Sequence, residues 1–218
     1  MSCALIFDLD GTLVDTAPDL LSATNAVLAA EGRPAIDPAT LRHMVGFGAG
    51  RLIAQAMEAT GAPAAADDMP RLVEIFLAHY RAHLADFSRP FPGVHETLAR
   101  LKDRGERLGI LTNKPAELTA PLLEQLALKD YFGAIYGAGR KSYSKPDPRI
   151  FHDVAGELGG GKAVMIGDSI TDLQTARAAG APCILLSYGY TPVAAGELGA
   201  DLVLDHFSEL PLALERLF

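Results

Sequence analysis

Short apolar runs alternate with segments of helical period along most of this chain. Runs at 4–7, 107–112, 134–137, 163–166, 183–186 and 202–204 have the length and β-branched character of buried strands. Between and after them, apolar positions recur at three- and four-residue spacing over 95–104, 116–126, 149–158, 172–179 and 208–217, which predicts helices. Strands that alternate with helices predict an α/β fold: a doubly wound, mostly parallel sheet of Rossmann-like form, covered by helices.

One stretch breaks the alternation. From residue 16 to 89 no strand is evident, and alanine- and leucine-rich segments at 19–31, 38–44, 49–60 and 69–87 follow helical spacing. Pro18, Pro34, Pro38 and Pro63 punctuate them. That is too much helix for one crossover, so residues 16–89 are predicted to be an inserted all-helical cap domain. Residues 1–15 and 90–218 form the α/β core. The connectors are residues 12–18 and Ser88-Arg89-Pro90-Phe91-Pro92-Gly93. The first leaves from an acidic turn, so the helical piece is placed to act as a lid. No repeat is present, and Gly159-Gly160-Gly161 marks a flexible loop.

Charge then narrows the function classes. The 218 residues carry 19 basic and 27 acidic side chains, a net charge of −8. That argues against a nucleic-acid binder and against attachment to an anionic membrane. Cys3 and Cys183 both lie in apolar runs and read as small buried hydrophobes. The start lacks the pattern of a secretory signal, and no apolar run is long enough to span a bilayer, so a cytoplasmic location is expected.

The chemistry sits where the predicted strands end. After the first strand come Asp8-Leu9-Asp10-Gly11-Thr12. Side chains two apart on a strand point the same way, so Asp8 and Asp10 converge on one spot. Two carboxylates so close repel unless a cation or a shared proton intervenes. A strand followed by an acidic turn is the ordinary alternative. The second strand ends in Leu111-Thr112-Asn113-Lys114-Pro115, where a hydroxyl and free amides can cradle phosphate. Thr112 can equally be a plain turn or cap residue. Lys145, before Pro146-Asp147-Pro148, is presented from a stiff loop and suits a point-charge role toward phosphate. Val164-Met165-Ile166-Gly167-Asp168-Ser169-Ile170-Thr171-Asp172 delivers two more carboxylates, oxygen donors of the kind Mg²⁺ takes. Helix capping would explain either of these acids alone more easily than both. In open α/β sheets ligands bind at the carboxyl ends of the strands, and here those ends bear an acid pair, a hydroxyl, a lysine and a second acid pair.

In this order the four segments resemble the motifs of the haloacid dehalogenase-like phosphohydrolases, and the insertion resembles that superfamily's first cap class. Finer segments are similar to its phosphoglycolate phosphatase group: Val14-Asp15-Thr16-Ala17-Pro18-Asp19-Leu20, Val45-Gly46-Phe47-Gly48-Ala49, Arg89-Pro90-Phe91-Pro92-Gly93-Val94, Thr112-Asn113-Lys114-Pro115 and Tyr188-Gly189-Tyr190. The loop Gly137-Ala138-Gly139-Arg140-Lys141-Ser142-Tyr143 departs from the pattern, being basic where many relatives carry an acid.

The resemblance implies a Mg²⁺-dependent phosphomonoester hydrolase acting through an aspartyl-phosphate, with 2-phosphoglycolate as the expected substrate. Asp8 is then the nucleophile and Asp10 the general acid and base. Asp8, the Asp10 carbonyl and Asp168 hold the metal, and Asp172 orients its surroundings. Thr112, Asn113 and Lys145 bind the phosphoryl group. Lys114 covers the edge of the phosphate loop. A carboxylated substrate needs a cation on the cap. Arg51, after the glycine-rich stretch 46–50, is the first candidate and His43 the second, although Arg51 can also be a solvated helix residue. His79 and His83 are four apart but lack the acidic partner of a zinc-protease pattern. Other readings remain: a phosphatase of a nucleotide, sugar phosphate or pyrophosphate, a sugar-phosphate mutase, or a non-enzymatic phosphoacceptor like a receiver domain. The expected partners are a small phosphomonoester and, at most, a second copy of the chain.

Overall fold

Six of the apolar runs form one sheet in the computed structural model, which describes residues 3–217. In chain order the described elements are β1 (Ala4–Phe7), β2 (Val14–Asp15), α1 (Ala17–Ala30), α2 (Pro38–Arg42), α3 (Ala49–Ala59), α4 (Met69–Ala82), β3 (Arg89–Pro90) and α5 (Val94–Asp103). They continue with β4 (Arg107–Pro115), α6 (Ala116–Gln125), β5 (Ala134–Ala138), α7 (Pro148–Glu157), β6 (Ala163–Gly167), α8 (Ile170–Ala178), β7 (Cys183–Leu186), β8 (Leu202–Leu204) and α9 (Leu210–Leu217). The sheet runs β5-β4-β1-β6-β7-β8, and every pairing in it is parallel. The chain builds outward from β1 on one side, then returns to build outward on the other. That is the doubly wound order, and it leaves a crevice at the carboxyl end of β1 where the winding reverses.

β1 shows why both faces need helices. All four of its residues are buried. Leu5 and Phe7 pack with Val94, Leu98, Leu118 and Leu122 on one side. Ala4 and Ile6 pack with Ile150, Val154, Leu173 and Ala176 on the other. Alternation on one strand thus feeds two cores, which gives three layers. Cys3 and Cys183 are buried and unbonded to each other. Among the described residues no helix is long and apolar enough to cross a membrane.

The predicted elements need three corrections. β4 runs three residues past its predicted end, through Asn113 and Lys114 to Pro115, and its pairing with β5 shifts register between Leu111 and Pro115. Polar residues continue the strand there because Pro115 pairs with Ala138. The connectors form a two-stranded antiparallel ribbon, Val14 opposite Pro90 and Asp15 opposite Arg89, too short to leave a periodic signal. α4 ends at Ala82 rather than 87. The Phe87 and Ser88 amides donate to the Asp19 carboxylate, at 3.1 and 2.7 Å, which draws the chain off the helix axis. Asp19 also accepts the Ser88 hydroxyl at 2.6 Å, so the start of α1 is tied to the returning connector.

Candidate active site

β1 stops at Phe7 with the Asp8 amide still held by the Ile166 carbonyl at 2.9 Å. This fixes Asp8 over the crevice, where it is 4% exposed. Its Oδ1 accepts from the Leu9 amide at 2.7 Å, and its Oδ2 lies 2.9 Å from Lys145 Nζ. The same Nζ is 2.6 Å from Asp172 Oδ1, so one buried ammonium joins two carboxylates. Asp172 Oδ2 accepts from the Asp168 and Ser169 amides, each at 3.1 Å, and from Ser169 Oγ at 2.8 Å. With both oxygens so occupied, Asp172 positions Lys145 and caps α8. Asp168 is placed by the Thr12 hydroxyl on Oδ1 at 2.6 Å and the Tyr190 amide on Oδ2 at 2.7 Å. Carboxylate oxygens of Asp8, Asp168 and Asp172 lie within 4.8 Å of one another.

The turn after β1 leaves no room for a side chain. Gly11 has φ +84°, and a Cβ there would fall 2.6 Å from Asp168 Oδ2. A residue other than glycine would be strained and would push Asp168 aside.

Electrostatics here are dominated by burial. Burial pushes the Asp8 carboxyl up to about 6, against the pull of Lys145. Burial, then the charges of Asp172 and Asp8, push Asp168 well above the usual carboxylate range. Burial disfavours the charge on Lys145, but Asp172 and Asp8 outweigh it and hold that lysine above its ordinary value. The carboxylates therefore lie in surroundings that favour a neutralising cation.

A stability consequence follows with a definite sign. Between the unfolded value and about 6, folded Asp8 holds more protons than unfolded Asp8. Stability of the metal-free chain therefore falls as pH rises through that window, and the loss persists above it. A divalent cation held by these oxygens would compete with protons for them. Mg²⁺ is expected to raise Tm more at about pH 7.5 than at about pH 5. Thermal melts with and without Mg²⁺ check this, and an equal shift at both pH values would contradict it.

Strand alternation on β4 brings Thr112 and Lys114 to the same side. Both are buried at 4% exposure. Lys114 Nζ is 3.1 Å from Asp10 Oδ1 and donates to the Tyr80 hydroxyl from α4. Burial outweighs the attraction of Asp10 and leaves Lys114 below the ordinary lysine pKa. Asn113 Nδ2 donates to the Gly46 carbonyl at 3.2 Å and to the Lys145 carbonyl at 3.3 Å, joining the α2–α3 loop to the core. These groups surround a cavity of about 40 Å³. Asp8, Asp10, Thr112 and Lys114 line its floor, and Leu20, Val45, Leu52, Phe76 and Tyr80 line it from the helical segment.

The structure thus brings together Asp8, Asp10, Thr112, Asn113, Lys145, Asp168 and Asp172. It does not bring Arg51 or His43 to the cavity. Both are exposed, neither lines it, and the Arg51 guanidinium lies 4.3 Å over the Phe47 ring. The reason is helical phase: Leu52, Ile53, Ala56 and Met57 form the buried stripe of α3, and Arg51 falls outside it. The basic loop after β5 is also elsewhere, with Arg140 paired to Glu157 and Lys141 to Asp153. Lys114 is not an edge residue but a buried wall. Its two-residue spacing from Thr112 was the available signal. Tyr80 was also legible in part, because Leu72, Phe76 and Tyr80 recur every four residues as the buried stripe of α4. Thr12 and Tyr190, which place Asp168, leave no such mark.

Known proteins are similar to this chain in sequence and fold. A curated phosphoglycolate phosphatase from Caulobacter vibrioides is 46% identical over 96% of this chain and 89% of its own length. Another from Agrobacterium fabrum is 44% identical over 98% of this chain and 93% of its own. The crystal structure of a predicted phosphoglycolate phosphatase from Haemophilus somnus superposes with a TM-score of 0.92 at 28% identity, covering 98% of both chains. The sequence model of the haloacid dehalogenase-like hydrolases matches residues 5–186, which include every strand-end residue described above. With the family match, the relatives and the doubly wound sheet in agreement, this chain belongs to the haloacid dehalogenase-like hydrolase family.

Proposed function

We propose that the protein is a Mg²⁺-dependent phosphomonoesterase that hydrolyses 2-phosphoglycolate through an aspartyl-phosphate on Asp8, under a cap formed by α1–α4. The observation that carries this reading is the buried Asp8–Lys145–Asp172 array opening into a small cavity that Asp10 and Lys114 share. The naming of the Caulobacter and Agrobacterium relatives supports the substrate.

In this reading an Asp8 oxygen attacks phosphorus and the bond to the ester oxygen breaks. Asp10 gives its proton to the departing alkoxide. Asp10 then takes a proton from water as that water attacks phosphorus. The P–O bond to Asp8 breaks, releasing phosphate and restoring the carboxylate. Lys145 offsets charge between Asp8 and the phosphoryl oxygens, and the Thr112 hydroxyl and Asn113 amide bind those oxygens. The donor set fits a divalent ion: buried carboxylates within 4.8 Å, with Asp8 and Asp168 each keeping free lone pairs. Asp8, Asp168 and the Asp10 carbonyl would hold Mg²⁺, which when bound supplies positive charge toward the phosphoryl oxygens. Leu20, Val45, Leu52 and Phe76 keep bulk water out.

The cavity of about 40 Å³ admits roughly three water centres, so it favours a short leaving group. Phosphate release with Mg²⁺ from a panel of 2-phosphoglycolate, glucose 6-phosphate, a nucleoside monophosphate and pyrophosphate tests this. A kcat/KM for 2-phosphoglycolate at least roughly tenfold above the others is expected, a margin of about 1.4 kcal/mol. A tenfold preference for a nucleotide or sugar phosphate would overturn the substrate.

A further inference from the structure

We infer that Lys114 and Tyr80 together form the subsite for a carboxylate on the carbon bearing the leaving oxygen, an inference that rests on the phosphomonoesterase reading above. Lys114 comes from the sheet and Tyr80 from α4, and both line the cavity beside Asp10. The Lys114 side chain is 2% exposed, and Tyr80 is 1% exposed. Among the described residues Lys114 is the cation that lines the cavity; Lys145 is engaged by Asp8 and Asp172, and Arg51 lies outside over Phe47. The surrounding wall is largely aliphatic and aromatic, with Leu20, Leu52 and Phe76. A carboxylate entering this space has Lys114 and Tyr80 to meet it.

Their donors are available. An ammonium has three N–H bonds; the Tyr80 oxygen takes one, Asp10 Oδ1 takes one at 3.1 Å, and Asp10 Oδ2 is reached only at 3.4 Å. That long bond to Asp10 Oδ2 can be exchanged for one to a ligand carboxylate. The Tyr80 oxygen accepts from Lys114, and among the described residues no acceptor takes its hydrogen. One lysine N–H and one phenol O–H thus offer two hydrogen bonds to a single anion.

Distance selects where on the leaving group that anion sits. The departing oxygen must reach Asp10 to be protonated. In a 2-hydroxy acid the carboxyl carbon is roughly 2.5 Å from that oxygen, the same separation as across N–Cα–C in a backbone. The cation that binds the carboxylate must then sit next to the proton donor. Lys114 Nζ does so, 3.1 Å from Asp10 Oδ1. A carboxylate one carbon further away would overshoot it. Because Lys114 belongs to the core and Tyr80 to the cap helix, the bound carboxylate also bridges the two parts and favours their closure over the substrate.

The test compares kcat/KM for 2-phosphoglycolate, ethyl phosphate and 3-phosphoglycerate in the wild type, Lys114→Met and Tyr80→Phe. Ethyl phosphate has the same length without the carboxylate, and 3-phosphoglycerate moves the carboxylate one carbon out. Lys114→Met is expected to lower the value for 2-phosphoglycolate about a hundredfold more than for ethyl phosphate. Tyr80→Phe, which removes one hydroxyl and serves even if the lysine variant does not fold, is expected to raise KM about three- to tenfold more for 2-phosphoglycolate than for ethyl phosphate. Equal losses for both esters in either variant would mean that the pair acts only through Asp10, and would overturn the subsite while the substrate reading stands. A wild type that shows no preference for 2-phosphoglycolate over the other two would overturn the subsite and the substrate reading together.

Discussion

Asp8→Asn is expected to lower phosphate release by about four to six orders of magnitude, the scale on which removal of a covalent nucleophile acts. An amide nitrogen or oxygen is a poor nucleophile, and the neighbouring Asp172 has both oxygens engaged, one by Lys145 and one by the Asp168 and Ser169 amides. The substitution separates chemistry from folding. Asn keeps the size of the side chain and an oxygen for the Leu9 amide. It also removes a carboxylate that burial and the neighbouring Asp172 and Asp10 already disfavour in its charged form. The metal-free variant should therefore melt no lower than the wild type while turning over almost nothing. Steady-state phosphate release and a thermal melt on one preparation check both halves, and near-normal release would contradict the covalent route.

Lys145→Met should act on stability as well as on rate. The lysine is 4% exposed and bridges Asp8 at 2.9 Å and Asp172 at 2.6 Å. Removing it leaves two buried carboxylates without their shared cation. Deleting one partner of a buried pair costs about 3–5 kcal/mol. For a chain of this length that is a fall in Tm of roughly 6–20 °C. Turnover should be lost too, since the charge facing the phosphoryl group goes with it. Mg²⁺ should recover part of the lost Tm, because the freed carboxylates can accept a cation, but not the turnover. A melt within about one degree of the wild type would show that this ion pair adds nothing to the fold.

Most of the fold was legible because buried parallel strands are short, apolar on both faces and followed by helices. The runs at 4–7 and 183–186 match β1 and β7 residue for residue. The end of α4 was not legible, because the bonds from Phe87 and Ser88 to Asp19 span nearly seventy residues and have no local trace. Asp8 and Asp168 were legible for a geometric reason: each follows an apolar strand directly, so the strand itself aims it. The contribution of the helical segment α1–α4 was harder to read. Arg51 was the first candidate because a carboxylated substrate needs a facing cation, yet the apolar stripe Leu52, Ile53, Ala56 and Met57 turns Arg51 outward. The same periodicity argument applied to α3 would have excluded it. Lys114 was passed over because it lay beyond the predicted end of its strand. Once β4 is extended through Pro115, strand alternation puts Thr112 and Lys114 on one side.

The central claim is that a phosphoryl group passes from 2-phosphoglycolate to Asp8 and then to water. Rapid acid quench of the wild-type enzyme with Mg²⁺ and 2-phosphoglycolate radiolabelled in phosphate measures this directly. Label is expected on the peptide that contains Asp8, appearing within one turnover and chasing into inorganic phosphate at the rate of steady-state release, with none trapped in Asp8→Asn. Phosphate release from the wild type with no label on that peptide, or with label that persists unchased over many turnovers, would contradict it.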